Sequence, residues 1–264
     1  MRRVNIYLLI SFVLMYVTQF GVLVLLRLTG FTEAHPVVQA LYILGGSSPT
    51  LAALYVVFKL YGKEEKDSYF ANLFRFKVPV FWWCYALFIP FLLLLFINLL
   101  QYRSLAHLTF ETGTLIMLPL FLLTSIFMGG LEELGWRGVF FDELRRKMSV
   151  VKLTLITGVL WAFWHLPLFF IDEILHSDLN FFPYLISTVM FSGYFSYLIL
   201  KTRSIGLAVI MHAAINAASN IGIRISTEHT FSNYFSLAIL TLLSFYLIHR
   251  FELKEKEATA QHLK

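Results

Sequence analysis

Eight apolar stretches, at roughly 4–28, 37–60, 79–100, 114–144, 153–171, 182–200, 205–222 and 232–249, take up most of this 264-residue chain. A helix crosses about 30 Å of hydrocarbon with about 20 mostly apolar residues, rising about 1.5 Å per residue. Each stretch comes near or passes that length. Backbone polar groups in lipid have no water to bond, so such runs are helices. The expected fold is an all-α polytopic membrane bundle of about eight transmembrane helices. Charge agrees: only 14% of residues are Asp, Glu, Lys or Arg, too few to coat a soluble particle that must also hide 27 Phe. Soluble domains carry about 25%. Disorder and a soluble nucleic-acid binder are excluded, and the single Cys84 rules out a disulfide framework or a Cys-rich metal site.

The first stretch follows Arg2 and Arg3 but is too long for a signal peptide and shows no small-x-small cleavage site, so it reads as a retained span. Lys and Arg then set orientation, since they concentrate in cytoplasmic loops. Alternate loops, counted from the N-terminus, hold seventeen basic residues against three in the intervening loops, and Arg137 alone lies inside a span. Both termini are therefore expected on the cytoplasmic side. The net charge of +5 is used up by orientation signals and lipid headgroups, leaving no basic patch for nucleic acid. Residues 1–264 read as a single membrane-embedded domain without visible repeats, and Gly45–Pro49 as a packing or kink feature of the second span.

Ionisable residues inside spans are costly and mark function. Three spans carry them: Glu132, Glu133 and Arg137 in the fourth, His165 in the fifth, and His212 with Asn216 in the seventh. Glu133 and Arg137 are four apart, share a helix face and can neutralise one another. Glu132 lies about 100° round from Glu133, free to face a cavity. His212 and Asn216 also share a face, and Trp161, one turn before His165, can fix its ring by packing. Pro167 frees a carbonyl one turn earlier and bends the span near His165. Counted along continuous helices, Glu132 and His165 both fall about 18 Å below the basic face and His212 about 12 Å, which points to one shared site beneath that face. Gly129, Gly130, Gly135 and Gly138, with the alanines around His212, allow close helix approach. His35, His107, His176 and His229 fall in loops on the other side and are assigned no role.

A carboxylate and an imidazole in one wet pocket can activate water, while a second imidazole and an amide can stabilise an oxyanion. No Gly-x-Ser-x-Gly elbow occurs, and Cys84 has no His at helical spacing, so a covalent nucleophile is not expected. Glu132, His165 and His212 could instead ligate zinc, although no His-Glu-x-x-His pair is present and Asn is a poor ligand; the ligand types favour metal-free chemistry. Buried Glu and His also build proton relays, which leaves a proton-coupled transporter or a non-catalytic immunity or scaffolding protein as the alternative class.

Glu132-Glu133-x-x-x-Arg137, Trp161-x-x-x-His165 and His212-x-x-x-Asn216, in that order on separate spans, resemble the three motifs of the CPBP intramembrane proteases (CAAX protease and bacteriocin-processing, or Abi), which include the Rce-type CAAX prenyl endopeptidases. The second motif usually begins with Phe, where Trp161 stands here. The resemblance covers roughly 110–220, the expected protease core. It implies an intramembrane endopeptidase in which Glu132 and His165 activate water, His212 and Asn216 stabilise the oxyanion, and Glu133 and Arg137 support the site. Cleavage is expected a little below the cytoplasmic surface. The implied partners are the bilayer and a membrane-associated peptide or protein substrate. The absence of a targeting extension favours a bacterial cytoplasmic membrane and bacterial peptide processing or bacteriocin self-immunity. The resemblance leaves open whether zinc takes part.

Overall fold

The computed structural model describes residues 1–104, 112–172, 176, 179–223 and 229–262. His107, Glu173, Asp178, Arg224 and Lys264, which entered the loop reading, lie outside them. Every regular element among the described residues is helical: α1 (Arg2–Thr29), α2 (Pro36–Gly46), α3 (Ser48–Leu60), α4 (Lys63–Leu73), α5 (Val80–Tyr102), α6 (Thr112–Ile116), α7 (Leu118–Phe127), the short turns α8 (Glu133–Gly135) and α9 (Asp142–Leu144), α10 (Val150–His165), α11 (Phe181–Thr202), α12 (Ile205–Asn220) and α13 (Phe231–His262).

Among the described residues, six helical stretches are long and apolar enough to cross a membrane, and α2 with α3 makes a seventh, bent by 53°. The bend falls where Ser47 and Pro49 start a new helix, because a proline in the first turn cannot continue the preceding hydrogen-bond ladder. The expected seventh span is the short helix α12, whose 16 residues reach about 24 Å. It is buried on nearly every face and packs chiefly against α5 and α7. A helix lined by protein need not match the bilayer thickness, which is why its Ala-, Gly- and His-bearing sequence suffices. Between α11 and α12, Arg203 takes a left-handed φ of 54° and the Ser204 side chain caps the Leu207 N–H at 3.1 Å, reversing the chain within two residues.

The alternation of basic loops has a counterpart in space. Arg3 at the start of α1 pairs with Glu65 of α4 at 2.6 Å and with Glu143 of α9 at 3.1 Å. The Val150 N–H donates to Glu252 of α13, and Lys201 of α11 lies 4.8 Å from the Phe251 ring centroid. These connections therefore share one face of the bundle. On the opposite face, Arg27 at the end of α1 meets Asp172 at 3.8 Å. Large apolar side chains such as Leu9, Val17, Phe88, Leu92 and Leu242 point outward along the flanks, as a lipid environment requires.

Candidate active site

The fourth expected span is not one helix. It breaks after α7 at Met128-Gly129, resumes as a 3-10 turn over Gly130–Glu132, and runs through a π-helical turn at Trp136–Phe141. Gly129 sits at φ 136°, and a Cβ there would come within 2.4 Å of Asn216 Nδ2 and 3.2 Å of His212 Nε2. The missing side chain lets the turn press against α12, and the irregular backbone turns Glu132 and Glu133 apart. Depth counted along a continuous 114–144 helix is therefore not a measure of where Glu132 lies.

Glu133 is sealed inside. Its Oε1 accepts from Nδ1 of His212 at 2.9 Å, and its Oε2 stands 3.3 Å from Nε of Arg137, with neither carboxylate nor guanidinium exposed. The Arg137 guanidinium lies over the rings of Phe195 and Trp161, at 4.6 Å and 5.7 Å. Glu132 faces the other way, and its Oε2 accepts the indole N–H of Trp161 at 3.0 Å.

His165 is the last residue of α10. Pro167 converts the chain to a 3-10 turn over Leu166–Phe170, and the carbonyl it frees, Phe163 O, accepts from the Tyr16 hydroxyl at 2.8 Å. His165 Nδ1 lies 2.8 Å from the carbonyl of Trp161. A carbonyl only accepts, so Nδ1 carries a proton, and in the neutral ring Nε2 keeps its lone pair. The Trp161 ring stands edge-on to His165 and His212, with centroids 5.8 Å and 5.4 Å away. Asn216 Nδ2 donates one of its two N–H groups to Met128 O at 3.1 Å.

Glu132, Trp161, His165, His212 and Asn216 line one cavity of about 470 Å³, whereas Glu133 and Arg137 stand behind its wall. His176, given no role from sequence, lines it too. Its ring stacks on His165 at 5.5 Å and 19°, and packs edge-on against Phe169 and Tyr184 at 5.6 Å each. Burial pulls the His176 imidazole down to about 4, so the ring is neutral at pH 7. No helical spacing links it to the motifs. The only signal in the sequence was its place in the short connection that follows His165.

The cavity does not open beneath the basic face, as the residue counting suggested. His165 ends α10, Asn220 ends α12, and His176 belongs to the connection that carries Asp172. The cavity thus extends from mid-bundle toward the Arg27–Asp172 face. Its rim includes the outward-facing Ile43 of α2, Phe127 at the end of α7 and the following Met128, so it also opens sideways between those helices.

The Nδ1 atoms of His165 and His212 are engaged, so a metal would require both Nε2 atoms and Glu132 to converge. Among the described residues no group of three His, Cys, Asp or Glu is gathered as a metal ion needs. The residues as placed do not fit a zinc ion.

A family model described as type II CAAX prenyl endopeptidase Rce1-like matches residues 114–218. CAAX prenyl protease 2 of Methanococcus maripaludis is 30% identical over 237 residues, spanning 80% of this chain and 82% of that protein.

Proposed function

The chain belongs to the Rce1-like family of CAAX prenyl endopeptidases, membrane proteases, and from that premise we propose that Glu132, His165, His212 and Asn216 hydrolyse a peptide bond of a membrane-associated peptide or protein. One observation carries the assignment: these four side chains line a single cavity while the ion pair Glu133–Arg137 stands behind them.

Water held between the Glu132 carboxylate and the Nε2 lone pair of His165 loses a proton to Glu132 as its oxygen attacks the carbonyl carbon. The resulting oxyanion receives N–H groups from His212 Nε2 and from the second hydrogen of Asn216 Nδ2. In this role His212 is protonated on both nitrogens, with Glu133 holding Nδ1–H and balancing the charge. The C–N bond then breaks, and Glu132 returns its proton to the leaving nitrogen. Trp161 orients both members of the base pair, through its indole N–H and its carbonyl.

The excess of Lys and Arg supports a basic face, and with it both termini, on the cytoplasmic side; a bacterial cytoplasmic membrane is the setting proposed for the chain. The scissile bond then sits near mid-bilayer, reached from the lipid between α2 and α7. The name of the archaeal relative makes a prenylated carboxy-terminal peptide the first substrate to try. Membrane-active bacterial peptides, bacteriocins among them, are the second. In proteoliposomes, wild type should cleave one of these, whereas Glu132→Gln and His212→Ala, inserted and monodisperse, should not. Cleavage by either variant at the wild-type rate would overturn the assignment.

A further inference from the structure

A second cavity, of about 420 Å³, opens on the basic face, and Arg3, Arg137, Arg145, Arg146, Lys147 and Arg203 all line it. Its acidic residues are largely committed. Glu65 and Glu143 hold Arg3, Asp142 holds Arg145 at 2.7 Å, and Glu143 also lies 4.0 Å from Lys147. Arg146 and Arg203 are exposed and their side chains make no hydrogen bond or ion pair among the described residues, and Glu64 is the one lining acid whose side chain has no partner there. The inner wall is Arg137. Its Nη1 and Nη2 are fully buried with no hydrogen-bond partner, although its Nε approaches Glu133. Glu133 offsets the charge of Arg137, yet the two terminal nitrogens of Arg137 offer N–H groups with no acceptor behind a pocket that two guanidinium groups free of counter-charge rim.

We propose that this cavity binds a phosphate anion, gripped by Arg146 and Arg203, with the unsatisfied N–H groups of Arg137 at its inner end. The guanidinium fork matches phosphate oxygens in pairs, which an ammonium does not. The cavity sits at the ends of α1, α9 and α11, the level of lipid headgroups, where basic pockets between helices take anionic lipids. A headgroup phosphate is thus the favoured source and a free phosphate the other. The site stands on the basic face alone and does not depend on the peptidase reading, so it is tested by binding.

Purified protein is loaded with phosphatidylglycerol or phosphatidylcholine and examined by native mass spectrometry and thermal unfolding, with inorganic phosphate as a separate arm. Wild type should retain one phosphatidylglycerol, and its unfolding temperature should rise with that lipid but not with phosphatidylcholine. Arg146→Gln/Arg203→Gln should retain at least several-fold less, while Lys254→Gln, on the tail outside the cavity, should behave as wild type. Protection by inorganic phosphate alone, lost in the double variant, supports the site with a free anion as its ligand. Equal retention by wild type and the double variant, or no preference for phosphatidylglycerol and no effect of phosphate, overturns the proposal.

Discussion

The indole N–H of Trp161 donates to Glu132 Oε2 at 3.0 Å, while the carbonyl of the same residue receives the proton of His165 Nδ1 at 2.8 Å. One residue therefore orients the carboxylate and the imidazole assigned to water activation, and it does so across two spans. The Phe usual at this position of the motif fills the same space but has no N–H to give.

Trp161→Phe is accordingly expected to fold and to retain the His165 contact, which runs through the backbone. It loses a hydrogen bond to a carboxylate, worth about 1.5–3 kcal/mol. The expected result is a fall in kcat of roughly tenfold or more with little change in KM. An unchanged kcat would mean that Glu132 is held by other contacts.

Glu133→Gln strands the buried Arg137 without its counter-charge, and breaking a buried pair costs about 3–5 kcal/mol. Unfolding in detergent should show that loss. Adding Arg137→Met removes the orphaned charge and should restore most of the stability. It should not restore hydrolysis, because His212 Nδ1 still lacks the carboxylate. Recovery of activity in the double variant would place Glu133 outside the oxyanion machinery.

Apolar length placed most spans within a few residues, and the four-residue spacing of Glu133 and Arg137 correctly put them together, because both depend on local helical geometry. The loop charges likewise found their common face. Hydropathy, however, measures apolar length and is blind to backbone regularity, so the break at Gly129 and the π turn after Gly135 were hidden inside a stretch that reads as one helix. That break undid the residue-counted depth of Glu132, while the side toward which the cavity opens follows from His165 and Asn220 standing at the far ends of α10 and α12. His176 reaches His165 only through the path of a loop, and no periodicity encodes such a path.

His176 covers one face of the His165 ring. His176→Ala should expose that face and loosen the imidazole, lowering kcat several-fold, whereas His176→Phe preserves the stack and should keep most of the activity. Equal activity in the two variants would show that the stack has no bearing on His165.

Because no three His, Cys, Asp or Glu among the described residues are gathered as a metal ion needs, hydrolysis is expected to survive prolonged treatment with a zinc chelator. Loss of activity on chelation, reversed by zinc and not by magnesium, would show that Glu132, His165 and His212 gather around an ion when substrate binds.

Gly129 and Gly46 both line the cavity of the candidate active site, yet they differ in the space behind them. A Cβ at Gly46 would meet nothing within 4 Å, and Gly46 lies in the helical α2. A Cβ at Gly129 would collide with Asn216 Nδ2 at 2.4 Å and crowd His212 Nε2 at 3.2 Å, on a backbone at φ 136° that side-chain-bearing residues rarely adopt. The atoms struck are the two donors assigned to the oxyanion. Gly129→Ala should therefore abolish most hydrolysis, by 10²-fold or more if one such donor is lost, about the cost of removing an oxyanion-hole hydrogen bond. Gly46→Ala should cleave at close to the wild-type rate, since it adds a methyl group to open space. Substrate binding separates the effects: if Gly129→Ala keeps its affinity for an uncleaved substrate analogue while kcat collapses, the turn acts on the donors. Equal loss of affinity and rate would instead assign Gly129 to keeping the cavity open for substrate.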